Sequence, residues 1–204
     1  ALAASDAGRY HVKVTDTNGS VASEKAVLTP TSGGAAVDAW DLGDGFNPAD
    51  DVANVTFAYT VTLTGSSGGV TVAATGLTAS STGSTGATFT DGTRTVVVDT
   101  AASPMTITST VTSGAVNYVL SGTFSTGLKI TSAAQFGLAL SGATVASGDG
   151  PAINVASAVR AFVVLSGTSS LTESSPASAA ANAAFYSKGS LLFSGSGSLS
   201  VTAG

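Results

Sequence analysis

Twelve Asp and Glu and seven Lys and Arg are all the charge that 204 residues carry, so any site working through charge must be built from few groups. Five of the acids lie close together: Asp38, Asp41, Asp44, Asp50 and Asp51, with Asn47 among them. Their oxygens suit calcium, a hard cation that takes six to eight such ligands. The spacing is not that of an EF-hand loop, so a calcium site and a polar linker compete as readings of this stretch. Trp40, within it, could stack on a flat ligand or pin the linker to a neighbouring module. The single histidine, His11, lies in an alternating stretch and reads as a strand-face residue rather than an acid–base catalyst. Gly65-Ser66-Ser67-Gly68-Gly69 satisfies the G-x-S-x-G hydrolase pattern, but in Gly/Ser low complexity without the strand-to-helix elbow that exposes a reactive serine. Further on, Arg160 and Lys188 could pair with carboxylates on a ligand, against the ordinary reading of solvated turn charges. Tyr186, in a turn-like Tyr-Ser-Lys-Gly segment, is the best placed aromatic for an exposed contact. With Asp149 these three make up the candidate ligand-binding set; the five acids from Asp38 to Asp51 make up the candidate metal set.

The elements that must carry these residues are strands. Tyr10, Val12 and Val14 alternate with His11, Lys13 and Thr15, a period of two that gives one buried face. Asn18-Gly19 supplies the positive φ of a tight hairpin turn, and Val21 to Leu28 reads as the returning strand. Asp6-Ala7-Gly8-Arg9-Tyr10 resembles the tyrosine corner of Ig-like domains; about thirty residues correspond to the last strands of such a domain without its first ones. Thr29-Pro30-Thr31-Ser32-Gly33-Gly34 breaks the pattern. The expected organisation is a partial Ig-like β module over 1–33, an acidic linker over 34–51 and a β-rich segment over 52–204. Within the last, Phe57 to Leu63, Val70 to Ala74 and Thr95 to Val98 read as strands between Gly/Ser/Thr turns, and no helical period is sustained.

From Tyr118 the chain repeats itself. Tyr118-Val119-Leu120, Leu138-Ala139-Leu140, Val163-Val164-Leu165 and Leu191-Leu192-Phe193 each precede Ser-Gly, at intervals of 20, 25 and 28 residues. Repeats of this length mark stacked units, each unable to bury its apolar face alone. The expected fold class is therefore all-β, a parallel β-helix (β-solenoid) clearest from residue 118, with Gly122, Gly142, Gly167 and Gly195 at its corners. Phe124, Phe136, Phe162 and Phe193 read as its core filling. The segments YVLSG at 118, LALSGATVASGDGPAINV at 138, AFYSKG at 184 and LLFSGSGSLSV at 191 resemble the polygalacturonate-binding parallel β-helix family of cellulolytic bacteria, over about residues 114–204. The resemblance implies a pectate-lyase-like fold that binds polyuronate or cellulose without cleaving it, and calcium held in acidic turns. The loop from Glu173 to Asn182 departs from that pattern, being rich in Ser and Ala. A lyase of this fold would need a carboxylate-held calcium and a base, whereas the matching region has two isolated acids, Asp149 and Glu173. No catalysis is expected, and calcium is the one cofactor the residues suggest.

Composition narrows the partners. Only 9% of residues are charged, against about a quarter in typical soluble domains, so Ser, Thr, Asn and Gly must cover the surface, as suits a secreted or cell-surface β-protein. Seven cations cannot form a phosphate-binding stripe, which excludes nucleic acid. No apolar run reaches the roughly 20 residues of a membrane span. The expected partner is a polysaccharide. The competing reading is a fibre or adhesin stalk, in which copies of the chain complete one another end to end through exposed strand edges.

Overall fold

The computed structural model describes residues 8–10, 13–16, 19–22, 26–28, 51–112, 114–174 and 183–203. His11, Asn18, Trp40, Asp38, Asp41, Asp44, Asn47 and Asp50 lie outside these, as do residues 175–182 of the Ser/Ala-rich loop. The described residues are all-β apart from a 3-10 turn at Val52–Asn54, and they fall into two units, Ala1–Asp51 and Val52–Gly204.

In the first unit, β1 (Gly8–Tyr10) pairs with β4 (Ala26–Leu28), and β2 (Lys13–Asp16) with β3 (Gly19–Ala22), both antiparallel. Asp16 faces Gly19. Gly19 is thus the first residue of the returning strand rather than half of the turn, one residue off the expected hairpin.

The second unit opens with antiparallel pairs. β5 (Phe57–Ser66) and β6 (Gly69–Thr75) form a hairpin, and its tight turn is the G-x-S-x-G segment. Ser66 Oγ donates to the Gly69 carbonyl (3.0 Å) and accepts the Gly68 N–H (3.2 Å), so this serine tethers a hairpin instead of standing at a nucleophile elbow. A meander follows: β7 (Thr78–Gly83), β8 (Gly86–Thr90), β9 (Thr95–Asp99) and β10 (Met105–Ser109).

The remaining strands are β11 (Ala115–Phe124), β12 (Leu128–Ser132), β13 (Phe136–Ser147), β14 (Ile153–Val155), β15 (Ala161–Ser166), β16 (Thr168–Glu173), β17 (Phe185–Ser187), β18 (Leu191–Gly195) and β19 (Ser198–Ala203). Every pairing among strands β10 to β19 is parallel. One sheet has the order β17-β14-β12-β10-β9-β8-β7. The other has β18-β15-β13-β11-β5-β6, and a further ladder, β13-β16-β19, leaves it through the second half of β13.

The registers explain why these residues hold together. Leu63, Leu120, Leu140 and Leu165 stand opposite one another on successive strands, and so do Val61, Tyr118, Leu138 and Val163. Met105, Leu128 and Ile153 form a third row, and Ile107, Ile130 and Val155 a fourth. All of these except the half-buried Leu165 are buried in one continuous core. Like residues stacked at the strand spacing bury their flanks on each other, and each fully buried Leu or Ile contributes about 1.5–3 kcal/mol of transfer free energy. The corner between the two halves of β11 falls at Gly122. Its φ of +79° is unfavourable for side chains, and a Cβ there would stand 2.2 Å from the Gly65 carbonyl oxygen. Glycine is the residue that tolerates both conditions.

Two expectations about the repeats need correction. The first three align as predicted, Tyr118 with Leu138 and Leu138 with Val163, but Phe193 rather than Leu191 stands opposite Val163, and Gly195 faces Leu165. Of the four phenylalanines read as core, Phe124 and Phe136 belong to the core cluster. Phe193 is 53% exposed, resting edge-on against Phe185 at 5.9 Å. Phe162 is buried outside the core cluster, against Phe57 (6.4 Å, 73°). Phe162 stands opposite Gly137, where a Cβ would meet the Phe57 ring at 2.9 Å, so the aromatic pair occupies the space that a glycine leaves.

Candidate functional site

Alternation sends every second residue of the seven-stranded sheet away from the core. Strands β9, β10, β12 and β14 bury Val98, Met105, Ile107, Leu128, Ile130, Ile153 and Val155 on one side. The other side presents a row, one residue per strand, fixed by the register: Asp99, Thr106, Lys129, Asn154, Tyr186. At about 4.8 Å per strand the row is roughly 19 Å long. Beside it run Val97, Thr108 and Thr131. Lys129 and Asp99 are exposed, and Thr106, Asn154 and Tyr186 half-buried. The Asn154 Oδ1 is covered and accepts no hydrogen bond from a described residue.

Past the end of β14 the turns stack into an open hollow of about 710 Å³, lined by Gln135, Val159, Arg160, Lys188 and Ser190 among others. Backbone bonds fix its shape. The Lys188 N–H donates to the Val155 carbonyl (3.0 Å), Phe136 N–H to the Arg160 carbonyl (3.2 Å), and Ala161 N–H to the Ser190 carbonyl (2.9 Å). Ser187 Oγ ties the same turn by donating to the Gly189 carbonyl (2.9 Å). The structure thus brings Arg160 and Lys188 to one hollow, with Tyr186 two residues before Lys188 on the adjoining face. Asp149 is not with them. It lies in the turn before β14, at the opposite end of that strand, where its carbonyl accepts from Ser147 Oγ (3.1 Å).

Lys129, Asn154 and Gln135 were not singled out from the sequence. Lys129 sits in Leu-Lys-Ile-Thr-Ser, an ordinary half-buried strand, and only the pairing with β14 shows that it shares a row with Asn154 and Tyr186.

Of the candidate metal set only Asp51 is described. Among the described residues no three His, Cys, Asp or Glu side chains converge, so the acidic calcium turns implied by the resemblance have no counterpart there. Glu173 is 1% exposed, its two carboxylate oxygens have no hydrogen-bond partner among the described residues, and it faces inward from the end of β16 beside Ser147. A single carboxylate does not make a six- to eight-oxygen cradle.

This sheet face is polar and partly cationic, and its side chains are of types that can hydrogen-bond hydroxyls. A family model for carbohydrate-binding domain-containing proteins matches residues 103–204, half of the chain, and the chain belongs to that family. No curated protein and no solved structure matches it. No described helix is long and apolar enough to cross a membrane.

Proposed function

We propose that this chain is a non-catalytic, extracellular or cell-surface module whose C-terminal half is a parallel β-helix binding an acidic, polyuronate-like polysaccharide along the outer face of β10, β12, β14 and β17. The observation that carries the proposal is the convergence of Lys129, Tyr186, Arg160 and Lys188 on one face and its adjoining hollow. The parallel registers, which shift at a bulge between Leu120 and Gly122, and the positive-φ glycines 122, 142 and 167 support a coil of this kind.

A polysaccharide lying across the strands meets one side chain per strand step, close to the rise of one sugar in an extended chain. Tyr186 offers a ring for an apolar sugar face, Asn154 and the threonines hydrogen-bond hydroxyls, and the three cations meet carboxylates. Binding rather than cleavage is the better reading, because this face gathers no set of carboxylates to hold a metal beside a base. Calcium on the stretch from Asp38 to Asp51 is a separate proposal resting on the clustering of five acids, checked by calcium titration calorimetry on the intact chain and its D38N/D41N/D44N variant.

Affinity electrophoresis in polygalacturonate tests the main proposal. Wild type is expected to be retarded, and K129A/R160A/K188A to bind about thirtyfold more weakly, three exposed ion pairs at a few-fold each. Equal retardation of the two proteins, or none of either, refutes it.

A further inference from the structure

The same sheet face extends beyond the family-matched segment. There β7, β8 and β9 enclose a second hollow, of about 370 Å³, lined by Ser81, Gly86, Thr88, Val97, Asp99 and Ala101 among others. Gly86 stands opposite Asp99, and Thr88 opposite Val97, so the hollow continues both outward rows by one strand. Its floor needs glycine. Gly86 has φ +144°, and a Cβ there would lie 2.1 Å from the Val98 carbonyl oxygen.

The Asp99 carboxylate is held in place. Its Oδ1 accepts the N–H groups of Ala101 (2.9 Å) and Ala102 (3.1 Å). Oδ2 makes no hydrogen bond or ion pair with any described residue. A carboxylate with one oxygen anchored to backbone and the other open is a preorganised acceptor, and its bonds to ligand hydroxyls are charge-assisted, about twice as strong as neutral ones. Thr88 and Ser81 line the same hollow with hydroxyls that both donate and accept. Lys129, the next charge along the row, is two strand steps away, about 10 Å, one Debye length at ordinary ionic strength. It therefore does little to offset the negative charge at Asp99.

We infer that the Asp99–Gly86 hollow is a second sugar subsite, selective for a neutral sugar that presents hydroxyls to the open oxygen of Asp99. A uronate would set its carboxylate against that of Asp99. The inference rests on the carbohydrate-binding reading above and adds to it a division of the face: neutral sugars at the β8–β9 end, acidic sugars at the β14–β17 end.

The test compares wild type, D99N and T88V in affinity electrophoresis against three polymers: hydroxyethylcellulose, neutral galactan and polygalacturonate. Asn at 99 keeps an Oδ1 to accept the Ala101 and Ala102 N–H groups, and Val is nearly isosteric with Thr, so both variants are expected to melt with wild type. Should D99N melt early, T88V decides. The expected result is binding of at least one neutral polymer by wild type, weakened about tenfold by D99N and about threefold by T88V. Retention by polygalacturonate is expected to stay within twofold for T88V and to hold or strengthen for D99N, which removes the carboxylate that repels a uronate. Neutral-polymer binding that neither variant changes overturns the subsite, as does a wild type that binds polygalacturonate alone. A wild type that binds none of the three overturns the underlying function as well.

Discussion

Replacing Tyr118 by Phe removes one oxygen atom and should change how the protein responds to alkali. Tyr118 is fully buried in the row it shares with Val61, Leu138 and Val163, with its ring edge-on to Phe136 at 5.5 Å. Its hydroxyl reaches no partner among the described residues at full hydrogen-bond geometry. Burial pushes the phenol from 10.0 up to about 12, and the approach of Ser109 offsets only part of that rise. The folded state therefore favours the neutral phenol. Below pH 10 the folded and unfolded chains carry the same proton on Tyr118, and its contribution is fully present. As the pH climbs from 10 towards 12 the unfolded chain ionises first, binds fewer protons, and gains stability relative to the folded one. Two pK units correspond to about 2.7 kcal/mol, the most that this one group withdraws. Urea unfolding followed by circular dichroism, at neutral pH and at steps between pH 10 and 12, measures it. Y118F should match or slightly exceed wild type at neutral pH, because no hydrogen bond is lost and an unpaired buried hydroxyl is removed. It should then lose less stability than wild type above pH 10. Tyr10, Tyr59 and Tyr186 are common to both proteins, so their titration cancels in the difference. Parallel stability curves for the two proteins between pH 10 and 12 would refute the inward placement of Tyr118.

Leu140→Ala opens a cavity in the four-leucine row and should cost about 2–5 kcal/mol in urea unfolding; a loss under 1 kcal/mol would contradict that packing. Glu173→Leu replaces a buried carboxyl group with no hydrogen-bond partner among the described residues, and should raise stability by about 1 kcal/mol, since a buried polar group left without a hydrogen bond is costly. A lower melting temperature than wild type would show that Glu173 is compensated. Retention by polygalacturonate should weaken steeply with added salt in wild type and only slightly in K129A/R160A/K188A, because exposed charge pairs are screened; equal salt slopes would mean that binding does not use these cations.

The sequence by itself determined that this chain is built of strands. Alternation at Tyr10 to Thr15, the Val/Thr runs from Phe57 onward, and apolar triplets ending in Ser-Gly each follow from local chemistry: side chains alternate across a strand, and glycine accepts the φ of a sharp corner. The same residues gave the register of the first three repeats, because Leu120 and Leu140 each close a triplet at one fixed distance from a Ser-Gly. In the fourth repeat that signal failed. Leu191, Leu192 and Phe193 are all apolar, so alternation does not say which of them faces inward, and only pairing with β15 places Leu191 opposite Ala161 and Phe193 opposite Val163. The candidate site was legible in fragments. Arg160, Tyr186 and Lys188 stood out as rare residue types, but neither Lys129 nor Asp99 differed from any charged residue on a strand surface. Their row joins positions 129, 154 and 186, separated by 25 and then 32 residues, because the turns between strands differ in length and share no period. Tertiary structure alone decided which side chains stand side by side: the strand ladder sets neighbours at a constant spacing in space, whatever length of chain lies between them.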